Sequence, residues 1–277
     1  MLRVKDYMSR EIIAVSPIDN IAYVRNLMLK HRVGRVVIVE NNKPVGIVTK
    51  IDISRSLGKG GAKWKRRPID KILIKRIMSK NLVTIGKDEE LKKAAKLMLK
   101  NRISSLIVKN EILEGIITKT DLVKAYSENY QGKFLVKDLM STKVITVSPY
   151  NTINHVVELM EENNISRVIV VDGTKVVGIV TSTDLSFAFF GEGEKEIKYL
   201  RRPRGGGRAM LRVIKILPIV TAEDIMSTEL ITISPSEDAA KASNLMLKEK
   251  ISGLPVLENE ELRGIITKTD ILRGMVR

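Results

Sequence analysis

The chain repeats one unit four times, and the spacing of the copies fixes what each part can be. Met8-Ser9, Met78-Ser79, Met140-Ser141 and Met226-Ser227 each precede a strand-like run: EIIAVSP, NLVTIGK, KVITVSP and ELITISP. Twenty residues after each of these methionines stands another, inside a Leu-Met pair: Met28, Met98, Met160 and Met246. Every copy closes on Gly-Ile-(Ile/Val)-Thr-x-x-Asp, as GIVTKID at 46–52, GIITKTD at 115–121, GIVTSTD at 178–184 and GIITKTD at 264–270. From first Met to closing Asp the distances are 44, 43, 44 and 44 residues. The residue missing from copy two falls between Ser105 and Gly115, in a turn between two strands. Self-similarity at fixed spacing marks a repeat architecture.

Each copy reads as strand, helix, strand, strand, helix. Apolar residues at Ile21, Val24 and Met28, and at Leu91, Ala94 and Met98, have the spacing of one helix face. Pro17, Pro149 and Pro235, with Asp or Ser nearby, read as the start signals of that helix. Short β-branched runs such as RVVIVE and PVGIVT follow, separated by turn residues such as Asn41-Asn42 or Asp172-Gly173. Methionine at helical spacing is core filler, because its flexible thioether fits irregular gaps. The expected divisions are repeat 1 at 1–57, a basic Gly/Arg connector at 58–73, repeat 2 at 74–129, repeat 3 at 136–190, a second basic connector at 191–221 and repeat 4 at 222–277.

This pattern resembles the CBS domain, named after cystathionine β-synthase, in all four copies and over about four fifths of the chain. The resemblance implies an α/β (α+β) fold of β-α-β-β-α repeats. Copies one and two would pair through their sheets, as would three and four, giving two pseudo-symmetric modules packed as a flat disc. The architecture is similar to the gamma subunit of AMP-activated protein kinase and to stand-alone archaeal four-CBS proteins, as a monomeric disc or a homodimer.

The closing motif sits where a strand hands over to a helix, so backbone N–H groups point toward any bound anion. A threonine hydroxyl can donate to a phosphate, and a carboxylate three residues on can accept from both hydroxyls of a ribose. The same pair can also form a helix cap, with Asp in place of the usual Glu. In the CBS family this Thr and Asp hold the phosphate and ribose of adenosine ligands. The resemblance therefore gives Thr49, Asp52, Thr118, Asp121, Thr181, Asp184, Thr267 and Asp270 as nucleotide-binding residues, with AMP, ADP or ATP as regulatory ligand and no required cofactor. At the start of the second strand stand Arg35, Ser105, Arg167 and Gly253, so only the odd copies keep the basic group that family members often turn toward the phosphates. Lys50, Lys119 and Lys268 follow the motif threonine, where copy three has Ser182; they either add charge there or line a solvated helix face. Fewer than four occupied sites are expected. The family resemblance places the adenine near Ala14, Thr84, Thr146 and Thr232.

A non-catalytic protein is expected. The chain has no cysteine, so disulfides, thiolate metal sites and a cysteine nucleophile are excluded. Its two histidines, His31 and His155, lack paired ligand spacing and read as surface residues, and no metal is expected. Neither a phosphate-loop, a nucleophile-elbow nor a zinc-protease motif occurs. No apolar run approaches a membrane span, and the MLRVKDYM start lacks the apolar stretch of a signal peptide, so a cytoplasmic location is expected. A single glutamine among many Lys, Glu and Ile leans toward a thermophile.

The formal net charge of +16 is concentrated. Residues 53–80 carry ten Lys or Arg and one acid, and residues 197–220 carry seven and none, so these two joining stretches hold the whole excess. Each also repeats an aromatic, a spacer, two arginines and a proline, WKRRP and YLRRP. Arginines grip phosphates with paired donors, and an aromatic ring stacks on an exposed base. Lys59, Lys63, Trp64, Lys65, Arg66, Arg67, Tyr199, Arg201, Arg202, Arg204 and Arg208 are accordingly the expected RNA-binding residues. Structured RNA, above all ribosomal RNA, is the expected partner, with a role in translation regulation or ribosome hibernation, because no recognition helix for duplex DNA is evident. The alternative is an energy-sensing subunit whose connectors meet an acidic protein face of a kinase or other enzyme complex. Duplex DNA or an anionic membrane fits less well, since neither connector offers a long amphipathic helix.

Overall fold

The computed structural model describes residues 2–57, 68–110, 112–188, 196–199, 213–216 and 220–277. Repeat 1 comprises α1 (Val4–Tyr7), β1 (Ala14–Val15), α2 (Ile21–Lys30), β2 (Arg35–Glu40), β3 (Lys43–Thr49) and α3 (Lys50–Leu57). Repeat 2 is led in by two 3-10 turns, Ile69–Lys71 and Ile74–Arg76, and continues as β4 (Thr84–Ile85), α4 (Leu91–Lys100), β5 (Ser105–Lys109), β6 (Leu113–Thr118) and α5 (Lys119–Asn129). Repeat 3 comprises α6 (Val136–Leu139), β7 (Thr146–Val147), α7 (Ile153–Glu162), β8 (Arg167–Asp172), β9 (Lys175–Thr181) and α8 (Ser182–Ala188). After it β10 (Glu196–Tyr199) and β11 (Val213–Ile216) pair as an antiparallel hairpin, and repeat 4 supplies α9 (Ala239–Lys248), β12 (Gly253–Glu258), β13 (Glu261–Thr267) and α10 (Lys268–Val276).

In repeats 1 to 3 a two-residue first strand runs parallel to the second, which pairs antiparallel with the third. Repeat 4 departs from the expected pattern: its first strand contracts to a single parallel bridge, Ile233 to Val256. The two-residue turn between β2 and β3 places Asn41 and Asn42 at φ 50° and 60°, the left-handed pair that a tight hairpin requires. The β10–β11 hairpin was not expected within the second connector. Its strands read EIKY and VIKI, runs of β-branched and aromatic character that can hold a ladder.

The prolines do not start the helices directly. Pro17 opens a turn closed by Asp19 N–H donating to the Ser16 carbonyl at 3.0 Å, and the caps come later. Asn20 accepts from Tyr23 N–H at 2.8 Å, Thr152 from His155 N–H at 3.3 Å and Asp238 from Ala240 N–H at 2.7 Å. These are ordinary N-cap residues that satisfy donors the helix leaves unpaired.

A further donor at each helix start is satisfied from the partner repeat. Ile21 N–H, the first of α2, donates to the Ile72 carbonyl at 2.9 Å, and Leu91 N–H of α4 donates to Leu2 at 3.0 Å. In the second half, Ile153 N–H of α7 donates to Val220 at 3.1 Å and Ala239 N–H of α9 to Phe134 at 2.9 Å. The lead-in of each repeat thus closes its partner's helix, and it buries Val4, Ile72, Ile74, Val136 and Ala222 there. The Met-Ser segments complete the exchange as reciprocal two-bond bridges: Ser9 with Ile116, Ser79 with Ile47, Ser141 with Ile265 and Ser227 with Ile179.

Repeats 1 and 2 meet sheet to sheet through Val37, Ile107 and Ile116, with Ile47 alongside. Between modules the contacts are helical: α5 packs on α9 and α10, and α10 on α4, while α3 packs on α8. Repeat 1 thereby touches 2 and 3, and repeat 4 touches 2 and 3, a closed ring of contacts that suits a disc. All four Leu-Met methionines are buried, as core residues. At the junction of repeats 2 and 4 the Tyr126 hydroxyl is fully buried with no hydrogen-bond partner, its ring stacked on Tyr130 at 4.9 Å. Burial also pushes its ionisation up to about 12. An unpaired buried hydroxyl costs about 1–3 kcal/mol. Tyr126→Phe is expected to stabilise the protein by about 1 kcal/mol or more, read as a higher urea midpoint at unchanged slope; a lower midpoint would contradict it.

Candidate functional site

In all four copies the motif threonine ends a strand and the aspartate lies in the first turn of the helix that follows. The geometry repeats closely. Asp Oδ2 accepts from the threonine N–H and O–H at 2.8 and 2.6 Å for Thr49–Asp52, and at 2.7 and 2.8 Å for Thr118–Asp121. For Thr181–Asp184 the distances are 2.8 and 2.7 Å, and for Thr267–Asp270 2.9 and 2.6 Å. The capping role is therefore filled in each copy, and it uses one carboxylate oxygen. The other oxygen is where the copies differ. In copy four Arg273, one turn further along α10, donates to Asp270 Oδ1, Ser141 Oγ stands 3.5 Å from the same atom, and Asp270 is buried. At the position of Arg273, copies two and three have Lys124 and Phe187, while copy one has Arg55, whose side chain lies outside the described residues. Burial pushes the Asp121 carboxyl up, against the pull of its Thr118 hydrogen bonds and of Arg35.

The alternation of Arg35, Ser105, Arg167 and Gly253 has a geometric cause. Each odd-copy arginine extends into the even copy of its own module. Arg35 Nη1 donates to Ser104 Oγ at 3.1 Å, and Arg167 Nη2 donates to Ser252 Oγ at 2.8 Å. A Cβ on Gly253 would meet the tip of the Arg167 guanidinium and lie 3.1 Å from the Ile266 carbonyl oxygen, so a side chain there would require that guanidinium to shift. One arginine serves both halves. Burial lowers both guanidiniums, Arg167 to about 10, while Asp121 and Asp270 respectively favour their charge.

Two of the three motif lysines also cross a boundary, this time between modules. Lys119 Nζ donates to Thr269 Oγ1 at 2.8 Å and Lys268 Nζ to Thr120 Oγ1 at 2.9 Å. They are not a solvated helix face. In copy three, Ser182 Oγ donates to the Ser166 carbonyl at 3.0 Å. The residues missed from the sequence are Ser104, Ser252, Thr120, Thr269 and Arg273. Only Arg273 left a signal there, the i, i+3 spacing from Asp270 on a helix.

Ala14, Thr84 and Thr146 lie on the first strands, and Thr232 beside the single bridge of copy four. Both histidines are exposed. No helix among the described residues is long and apolar enough to cross a membrane. A cavity of 350 Å³ opens between α6 and repeat 4, lined by Lys137, Met140, Thr142, Pro235, Ser236, Glu258 and Arg263; no threonine or aspartate of the four closing motifs lines it. Of the RNA-binding expectations, Tyr199 ends β10, while Lys59, Lys63, Trp64, Lys65, Arg66, Arg67, Arg201, Arg202, Arg204 and Arg208 lie outside the described residues. The flanks are informative. The first connector follows α3 and the second follows α8, and these two helices pack together.

Paired sheets, exchanged lead-ins and a Thr-Asp box at each strand–helix junction define a tandem-repeat α/β architecture. The chain belongs to the CBS domain family, whose profile matches residues 4–59, 74–128, 136–191 and 222–277. Protein MJ1225 of Methanocaldococcus jannaschii is 26% identical over 279 residues, spanning 96% of this chain and 95% of that protein. The crystal structure of MJ1225, described as a candidate archaeal homolog of g-AMPK, matches with a TM-score of 0.81 at 24% identity, covering 99% of this chain and 100% of that one. A conserved protein of Pyrococcus horikoshii matches with a TM-score of 0.66 at 20% identity, covering 98% and 99%. A 33.4 kDa protein in a ribosomal RNA operon of Thermofilum pendens is 28% identical over 191 residues, 68% of this chain and 59% of that protein. The two structural likenesses speak for the fold.

Burial, with repulsion from Arg167 and Arg35, holds Lys268 down at about 8, and Asp121 only partly offsets this. A lysine whose folded pKa lies below its ordinary 10.5 costs stability while charged, fully so below the folded value. Stability is therefore expected to rise with pH above about 8 as the folded protein sheds this proton first. Denaturant titrations between pH 7 and about 9.5 should show that rise, and Lys268→Met should flatten it.

Proposed function

We propose that the protein is a non-catalytic regulator that binds adenosine nucleotides in its repeat clefts and docks on structured RNA, above all ribosomal RNA, through its two basic connectors. Four Thr-Asp boxes, each at a helix start beside a half-buried basic group or its partner repeat, carry the nucleotide half of this reading. AMP, ADP or ATP would place ribose against the free carboxylate oxygen and phosphate against the threonine and the crossing arginine. Asp121 and Asp184 have Lys124 and Phe187 where Asp270 has Arg273, so their second oxygen is the better candidate for ribose. Asp270 has given it to Arg273, so the copy-four cleft is the poorest candidate for ribose. Calorimetry with AMP, ADP and ATP tests this. At least one of Asp52→Ala, Asp121→Ala and Asp184→Ala should weaken binding about tenfold, the worth of a hydrogen bond to a charged group, whereas Asp270→Ala should leave nucleotide affinity unchanged. Unchanged binding in all four variants would leave only the capping role.

The RNA half rests on charge placement. Residues 53–80 and 197–220 hold the entire excess of +16, and the two connectors follow α3 and α8, helices that pack on one another, which supports one shared docking surface. The relative in a ribosomal RNA operon supports a ribosomal partner. Ribosome co-sedimentation across a salt series should show steep loss of binding, because phosphate contacts release counterions. Changing Arg66, Arg67, Arg201 and Arg202 to Glu should abolish co-sedimentation; retention would sink this half of the reading. The second reading, an energy-sensing subunit of a kinase or other enzyme complex, draws on the likeness to MJ1225. In that case the same variants would lose an acidic protein partner, and nuclease treatment would not release it.

A further inference from the structure

The two modules share one backbone frame where the lead-in of the odd repeat meets the even one, and they fill it with different side chains. In the module of repeats 1 and 2, Lys5 N–H donates to the Lys87 carbonyl at 2.8 Å; in the module of repeats 3 and 4, Lys137 N–H donates to the Pro235 carbonyl at 3.0 Å. Around the first of these bonds, ion pairs cover the surface. Lys5 pairs with Asp88 at 2.9 Å and Lys87 with Glu114 at 2.8 Å, while Asn110 Nδ2 donates to Glu114 at 3.0 Å. By position in the repeat, Lys87, Asp88, Asn110 and Glu114 correspond to Pro235, Ser236, Glu258 and Arg263. Both acids that close the first module are thus replaced in the second, and there the cavity of 350 Å³ opens.

Its walls come from two repeats, with Lys137, Met140 and Thr142 from repeat 3 and the remainder from repeat 4. The Arg263 guanidinium is already matched by acid, Nη2 lying 2.8 Å from Glu261 and Nε 3.3 Å from Glu258. Lys137 is not. Its counterpart Lys5 holds Asp88, whereas among the described residues no acid pairs with Lys137. One ammonium is left over, and the hydroxyls of Thr142 and Ser236 supply further donors in the same lining. Met140 and the buried Pro235 supply apolar surface. A single spare positive charge suits a single negative one, since a second would face Glu258 with nothing to match it. A few polar groups beside apolar lining, in a volume within the usual range of about 300–1,000 Å³, are the fittings of a small-molecule site.

We propose that this cavity is a ligand site separate from the Thr-Asp clefts, taking a small monocarboxylate with a short apolar body. The carboxylate sits on the Lys137 ammonium with the hydroxyls of Thr142 and Ser236, and the body lies along Met140 and Pro235. Because the walls belong to repeats 3 and 4, the bound anion joins the two and stabilises their pairing by mass action. It also adjoins the bridge that holds the pair together, since Met140 precedes Ser141, which exchanges two backbone bonds with Ile265 and stands 3.5 Å from Asp270 Oδ1. The first module, covered by its ion pairs, takes no such ligand.

Methionine-methyl NMR of the full chain with isovalerate as probe tests this, because Met140 and its counterpart Met8 report on both places in one molecule. A saturable shift of the Met140 methyl is expected, with Kd about 1 mM for so small a ligand, and no shift of Met8. Isoamyl alcohol, the same body without the charge, should leave Met140 unshifted. Lys137→Gln should weaken isovalerate about tenfold, the worth of a hydrogen bond to a charged group. Ser236→Asp gives Lys137 the acid that Lys5 has in Asp88 and should abolish binding. Both positions are exposed, so neither variant endangers the fold. No saturable shift at Met140, an equal shift at Met8, equal binding of the alcohol, or undiminished affinity in the two variants overturns the site, whatever the clefts bind.

Discussion

The first N–H of a helix has no acceptor within its own helix, and in this protein the acceptor comes from the neighbouring repeat. Leu2, Ile72, Phe134 and Val220 supply the carbonyls for α4, α2, α9 and α7. Everything larger follows from that exchange. A lead-in that caps its partner's helix carries apolar residues into its partner's core, and it draws the following Met-Ser segment across the partner's third strand. The sheets of a pair then face each other, and the strand–helix junctions of both copies are brought to a common side. Neither repeat completes its backbone hydrogen bonding by itself, so the pair is the smallest unit with a finished core.

Within that frame the two levels of pseudo-symmetry do different chemical work. Inside a module, one arginine crosses from the odd copy to the even copy and lies against a serine there. Between modules, a lysine crosses each way and lies against a threonine. Positive groups from all four repeats thus reach hydroxyls of neighbouring repeats without any one repeat carrying a dense charge cluster in sequence. The arginine that grips Asp270 adds a difference between copies, since copies two and three have Lys124 and Phe187 in its place.

Much of the fold was legible because it depends on local rules repeated four times. The Leu-Met methionines are core, the Thr-Asp boxes lie at strand–helix junctions, and the second strands begin at Arg35, Ser105, Arg167 and Gly253 as spacing requires. The prolines misled at close range, because each opens a turn and Asn20, Thr152 or Asp238 does the capping. The crossing contacts were not legible. Arg35 meets Ser104 and Lys119 meets Thr269 across 69 and 150 residues of sequence, and nothing local to either member announces the other. The contraction of the first strand in copy four was equally hidden, since ELITISP reads as well as its three counterparts.

The crowding at Gly253 bears on how such a chain could arise. A tandem copy carrying arginine at both equivalent positions would bring two guanidiniums toward the axis of the pair, where like charges repel. Faithful duplication therefore carries an electrostatic cost at this one position, which a small residue in one copy relieves. In a homodimer of identical single repeats the same relief would remove both arginines at once.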